Sequence, residues 1–163
     1  MIQIGDVSPE FCLLDNYEQE VCLNTYKGRW VVVYFYLRDN TNGCTREAVD
    51  FTNALEALRA LGADVLGISP DSLASHKEFA EKHGLKVKLL SDPDHKVIKA
   101  YGVWDLKKMR GRDGCIMQGY GVIRSTFLID PKGHIAHYWQ DVEVKGHVDE
   151  VIKTLENLKN TRR

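Results

Sequence analysis

Alternating strand-type and helix-type apolar patterns along 163 residues predict an α/β fold. Its expected form is a mixed central β-sheet flanked by helices on both faces, with an N-terminal β-hairpin. Three observations carry this. Trp30 to Leu37 (WVVVYFYL) is an unbroken apolar run, the pattern of a strand buried on both faces. From Cys44 to Leu61 the apolar positions shift to three- and four-residue spacing, one face of a helix. The last third carries a turn, DPKG, between two strand-like runs, and ends on another amphipathic pattern.

Taken in order, Phe11 to Leu14 and Val21 to Leu23 flank the polar turn DNYEQE and predict the first hairpin. After the buried strand, Ala48, Phe51, Leu55, Leu58 and Leu61 define the first helix, and Gly62 is a good stop. Ala63 to Ser69 is a second buried strand. Asp71 or Ser72 caps a helix to His83, ended by Gly84. Val87 to Leu90 is a short third strand, and a helix starts near Asp92 or Asp94 and runs through Tyr101. Asp105 to Gly121 reads as a long irregular Gly-rich loop. Arg124 to Ile129 and His134 to Trp139 pair as antiparallel strands, and Val148 to Leu158 forms the closing helix. Strands joined by helices are expected to be parallel with right-handed crossovers. The whole is a thioredoxin-like plan.

Length predicts one domain over residues 1–163 with a short flexible tail, Lys159, Arg162 and Arg163 included. The apolar fraction is 44%, the charged fraction 28% and the net charge −1, values that offer no electrostatic case for nucleic acid or an anionic membrane. The longest apolar run is too short to span a bilayer, and the N-terminus has no signal-peptide pattern, so the cytoplasm is the expected compartment. Cys12, Cys22, Cys44 and Cys115 include no CxxC, against zinc-ribbon and dithiol readings. Cys12 and Cys22 read as small buried hydrophobes. His134 and His137 point to opposite faces of a strand, His76 and His83 read as surface residues, and no metal or cofactor is expected.

Cys44 sits where the buried strand hands over to a helix N-terminus. The thiolate is the nucleophile. Bringing a thiol from about 8.5 to about 6 takes roughly 3.4 kcal/mol. A helix N-terminus supplies about 0.3–1 kcal/mol, at best about 2. A fixed cation must add the rest, and a guanidinium suits that role. Arg46 points from an exposed helical turn. Arg124 opens a strand expected beside Trp30 to Leu37, within reach of Cys44. Thr41, three residues before Cys44, places a hydroxyl that both accepts and donates near the sulfur. Hydroxyl, backbone N–H and guanidinium together suit two bonded oxygens in line with sulfur. The expected reaction is displacement at a peroxide O–O bond, leaving a sulfenic acid.

The segment YFYLRDNTNGCTREAVDF resembles the active-site signature of the peroxiredoxins, Pro-x-x-x-Thr-x-x-Cys, most nearly the peroxiredoxin Q or bacterioferritin-comigratory group. GDVSPEF, VLGISPDS, LLSDPDHKVIKAYGVW and GVIRSTFLIDPKGHI are similar to that group in the same order, over nearly the whole chain. The resemblance implies that Cys44 is the peroxidatic cysteine, Thr41 the peroxide-binding hydroxyl and Arg124 the activating arginine, with Glu47 orienting the arginine. Two positions depart from the signature: Leu37 stands at the family's proline and Asn42 at a second one.

The resemblance also implies a thiol that resolves the sulfenic acid. Val49 occupies one position where such a cysteine is found, and Ser72 to His83 contains none. Cys115, in the long loop, is the internal candidate; an external thiol is the other route. Expected partners are a peroxide substrate and thioredoxin, glutaredoxin or a low-molecular-weight thiol as reductant, with a monomer or homodimer as the assembly. The alternative function is a non-catalytic thioredoxin-like redox sensor or binding module.

Overall fold

The computed structural model describes residues 2–110 and 116–162. A hairpin of β1 (Cys12–Leu14) and β2 (Glu20–Cys22) precedes a short 3-10 turn and the buried strand β3 (Trp30–Phe35). Then come α1 (Asn42–Ala60), β4 (Ala63–Ser69), α2 (Leu73–His83), β5 (Lys88–Ser91) and α3 (Lys96–Ala100). A ribbon of β6 (Trp104–Arg110) and β7 (Ile116–Val122) leads to β8 (Ser125–Ile129), β9 (Ile135–Trp139) and α4 (His147–Thr161).

The central sheet has the order β5-β4-β3-β8-β9. β3, β4 and β5 are parallel, while β8 runs antiparallel to β3 and β9 antiparallel to β8. Strand alternation sends Val32 and Tyr34 to one face, where Phe51, Leu55 and Leu58 of α1, Phe79 of α2 and Val151 and Leu155 of α4 cover them. Val31, Val33 and Phe35 meet Ile98, Tyr101 and Phe127 on the other face, alongside α3 and the N-terminal hairpin. Burying each large apolar side chain of this kind contributes about 1.5–3 kcal/mol. The helix stops follow the sequence: Ser72 Oγ accepts from Ser75 N–H at 3.2 Å, and Gly84 closes α2 with φ 62°.

Three expectations need correction. Of residues 105–121, those described are not an irregular loop: β6 and β7 pair antiparallel from Trp104↔Val122 to Arg110↔Ile116. The ribbon stands outside the central sheet, and its paired Leu106 and Tyr120 are exposed, so its apolar residues do not mark a core face. Cys12 and Cys22 are not buried; they are joined by a disulfide on the outer face of the hairpin. The period of two explains this, since Phe11, Val21 and Leu23 take the core positions. His76 is fully buried rather than on the surface. Near the end of α4, Lys159 Nζ donates to Leu61 O, and Arg162 pairs with Asp130 at 3.0 Å and lies over the Trp30 ring.

Candidate active site

β3 ends at Phe35, and the chain turns through residues 37–41 into α1. Thr41 is the extended residue before the helix, and its carbonyl accepts the Thr45 N–H at 2.9 Å. Cys44 therefore lies in the first turn of α1, beside the helix's free N–H groups. Its residue is 1% exposed.

The β3–β8 register brings the cation. Phe35 pairs with Ser125, so Arg124 stands level with the end of β3. Its carbonyl is held by the Val142 N–H at 2.9 Å. Arg124 Nη2 donates to Cys44 Sγ at 3.3 Å, while Nη1 donates to Glu47 Oε1 at 2.9 Å. Glu47 is three residues after Cys44 and so shares its helix face. One guanidinium thus spans a sulfur and a carboxylate, and a thiolate sulfur is the stronger acceptor of such a bond.

Glu47 is completely buried, and Oε2 has no hydrogen-bond partner. Burial pushes its carboxyl up to about 7, with Arg124 pulling the other way. Burial works against the Arg124 charge, yet Glu47 and Cys44 hold its guanidinium above the ordinary range. Tyr34 lies under the same turn, stacked on Phe51; burial, then Glu47 and Cys44, raise its phenol well above the usual value.

Gly43 makes the guanidinium's approach possible. A Cβ at this position would stand 3.0 Å from Arg124 Nη2. The ribbon brings a further cation near the site. Lys107 Nζ donates to Val122 O at 2.9 Å, and burial lowers its ammonium, followed by the Arg124 charge.

The structure thus brings together three of the residues singled out in the sequence: Cys44, Arg124 and Glu47. The Thr41 hydroxyl instead donates to Arg38 O at 3.2 Å. Arg46 is 60% exposed and only loosely paired with Asp50, at 3.9 Å. Cys115 lies outside the described residues. Sequence reasoning missed Gly43, Lys107 and a buried polar cluster of Asp39, Asp71 and His76. Its one available signal was position: His76 falls on the same α2 face as Phe79 and Ala80. Donor atoms of those three residues lie within 4.8 Å of one another, and protein hydrogen bonds already engage them. A cavity of about 120 Å³, bounded by Leu23, Val31 and Ile129 and also by the charged Glu10, Lys27 and Asp130, lies at the other end of β3, away from Cys44.

Comparison with known proteins follows this geometry. The model of the AhpC/TSA family matches residues 4–138. Peroxiredoxin Bcp of Bacillus subtilis (strain 168) is 43% identical over 157 residues, covering 96% of this chain and 97% of the relative. Peroxiredoxin Bcp of Escherichia coli (strain K12) is 38% identical, covering 94% and 96%. Among solved structures, the Xanthomonas campestris bacterioferritin comigratory protein, studied for alkyl peroxide reduction, superposes with a TM-score of 0.85 at 34% identity, over 96% of this chain and 97% of that one. Xylella fastidiosa PrxQ gives the same TM-score, 0.85, at 34% identity, over 100% and 99%. No described helix is long and apolar enough to cross a membrane.

Proposed function

The chain belongs to the AhpC/TSA family, and on that premise we propose that Cys44 is its peroxidatic cysteine, activated by Arg124. The protein is a thiol-dependent peroxidase that reduces hydrogen peroxide and organic hydroperoxides. The Arg124–Cys44 contact at the N-terminus of α1 is the observation that supports these roles most directly.

The Cys44 thiolate attacks one peroxide oxygen, and the O–O bond breaks. The sulfur is oxidised to sulfenic acid, and the departing oxygen takes a proton to leave as water or alcohol. Arg124 and the free N–H groups of α1 face the charge that moves from sulfur to oxygen. Thr41 supplies the hydroxyl to the peroxide once it rotates away from Arg38 O, and Glu47 holds the guanidinium in place.

A first thiol then condenses with the sulfenic acid, forming a disulfide and releasing water. A second thiol displaces Cys44 as thiol. We assign this role to an external reductant: thioredoxin, glutaredoxin or a low-molecular-weight thiol, as a reducing cytoplasm supplies. Val49 and α2 offer no sulfur, and Cys12 and Cys22 belong to the hairpin that packs on the sheet face opposite Cys44. Cys115 is the internal alternative. Mass spectrometry after one equivalent of peroxide separates the routes: a sulfenic species on Cys44 with Cys115 free supports the external thiol, and a Cys44–Cys115 disulfide overturns it.

The primary test is stopped-flow oxidation of the reduced protein by stoichiometric peroxide, with Cys44→Ser alongside. Rapid oxidation that disappears in the variant is expected. A rate no faster than that of free cysteine would remove the assignment.

A further inference from the structure

The buried cluster behind the active-site turn takes no part in the chemistry above, yet it holds the loop that delivers it. Asp39 lies two residues before Thr41 and five before Cys44. Its Oδ1 accepts from Tyr36 Oη at 2.7 Å, and its Oδ2 accepts from Ser75 Oγ at 2.8 Å and meets His76 Nδ1 at 2.7 Å. The Asp39 N–H donates to Asp71 Oδ2 at 2.8 Å, and that oxygen also accepts from Ser69 Oγ at 2.6 Å. On its other side, His76 Nε2 meets the Leu90 carbonyl oxygen at 3.0 Å.

Counting donors defines the state of this histidine. A carbonyl oxygen only accepts, so Nε2 carries a hydrogen. A proton must also lie between Nδ1 and Asp39 Oδ2, because two facing lone pairs at that separation repel. Tyr36 and Ser75 both donate to Asp39. His76 is therefore engaged at both ring nitrogens and closed against Asp39, with neither group exposed beyond 6%. Breaking such a buried pair from one side is costly, since it leaves the other group without its hydrogen bond.

The loop needs a tether of this kind. Residues 37–43 contain no proline to stiffen the backbone, and Asn40 adopts a left-handed φ of 65°. We propose that His76 is a positioning residue for peroxide reduction. Through Asp39 it ties the 37–41 loop to α2 and β5, and so holds Thr41 in reacting geometry beside Cys44. The inference rests on the roles given above to Cys44 and Thr41.

The test measures the rate of Cys44 oxidation by hydrogen peroxide in Asp39→Asn and His76→Gln. A companion measurement follows the pH titration of thiolate absorbance in each variant. Displacement of a reacting group by about 1 Å costs up to about a hundredfold, so a loss of about ten- to a hundredfold is expected. The thiolate titration should superimpose on that of the parent, because Arg124 reaches Cys44 from β8, independently of α2. Parent-like rates in both variants, or a titration that moves with the rate, would each overturn the proposal.

If these variants do not fold, Tyr36→Phe and Ser75→Ala decide. Each removes one hydrogen bond to Asp39 while preserving the packing, and each should slow oxidation a few-fold. Unchanged rates in both would overturn the proposal. Cys44→Ser run in parallel separates the two levels. Peroxide reduction surviving in Cys44→Ser sinks the site assignment, whereas an inert Cys44→Ser beside parent-like cluster variants sinks the positioning role alone.

Discussion

Two parts of this molecule hold cysteines in opposite circumstances. Cys44 is buried in the first turn of a 19-residue helix, free, and faced by a guanidinium. Cys12 and Cys22 sit on the outer face of a hairpin with three-residue strands, already bonded to each other. Exposure alone would mark the hairpin sulfurs as the reactive ones. The surroundings argue the reverse. Glu20 lies 3.7 Å from Cys22 Sγ, a carboxylate that disfavours a thiolate, while Arg124 faces Cys44. On the role proposed for Cys44, reactivity follows the neighbouring charge and the helix terminus rather than solvent access.

That contrast breaks most visibly with the sulfurs themselves. Cys44→Ser should lower the initial rate of peroxide reduction by at least about a thousandfold. The paired change Cys12→Ser with Cys22→Ser should leave that rate close to the parent's, measured by stopped flow. A collapse of activity in the hairpin variant would reverse the roles of the two regions. Next in size is the cation. Arg124→Gln removes a charged donor aimed at the reacting atoms and should cost about a hundredfold in kcat/KM.

The hairpin pair should matter for stability instead. Closing a loop of this length lowers the chain entropy of the unfolded state, so its loss should cost about 2–3 kcal/mol in urea unfolding. Gly43→Ala tests the cation from the helix side. The added methyl presses on Arg124 Nη2, and a loss of about tenfold in rate with little change in urea midpoint is expected.

A last test is one of pH. The Glu47 carboxyl is raised from 4.5 to about 7 in the fold. The folded state then binds the proton more tightly than the unfolded one. The stability this contributes is fully present below pH 4.5 and is lost as pH rises through 7. Glu47→Gln should remove that decline, read as urea midpoints at the two ends of the window. His147 works the other way: burial lowers it from 6.5 to about 4, so stability falls as pH drops through that interval. The comparison of variant with parent isolates Glu47 from it.

The strands and helices that build the catalytic end were legible because their apolar periods are strong. WVVVYFYL announces a buried central strand, and the spacing after Cys44 announces its helix. The strand-to-helix junction and an arginine opening the neighbouring strand are the features of the sequence that single out Cys44 and Arg124. The β6–β7 ribbon escaped because its apolar Leu106 and Tyr120 stay exposed and its glycines read as a loop. The hairpin disulfide escaped for a related reason. Asp15 Oδ1 accepts the N–H groups of Tyr17 and Gln19, which shapes the turn and brings Cys12 opposite Cys22 with Cα atoms 4.1 Å apart. Register of that kind depends on turn hydrogen bonds, which composition does not reveal.

By itself, then, the sequence determined which strands and helices build the core, and it placed Cys44 at a strand-to-helix junction with Arg124 opening a neighbouring strand. Hydrophobic patterning is local and additive, so a single chain carries it openly. Only the tertiary structure decided that Gly43 admits the guanidinium, that Glu47 is sealed beside it, and that His76 closes on Asp39 behind the loop. Those are meetings of polar groups from separate elements. Their partners are chosen by distance and desolvation, which exist only once the sheet and helices have packed.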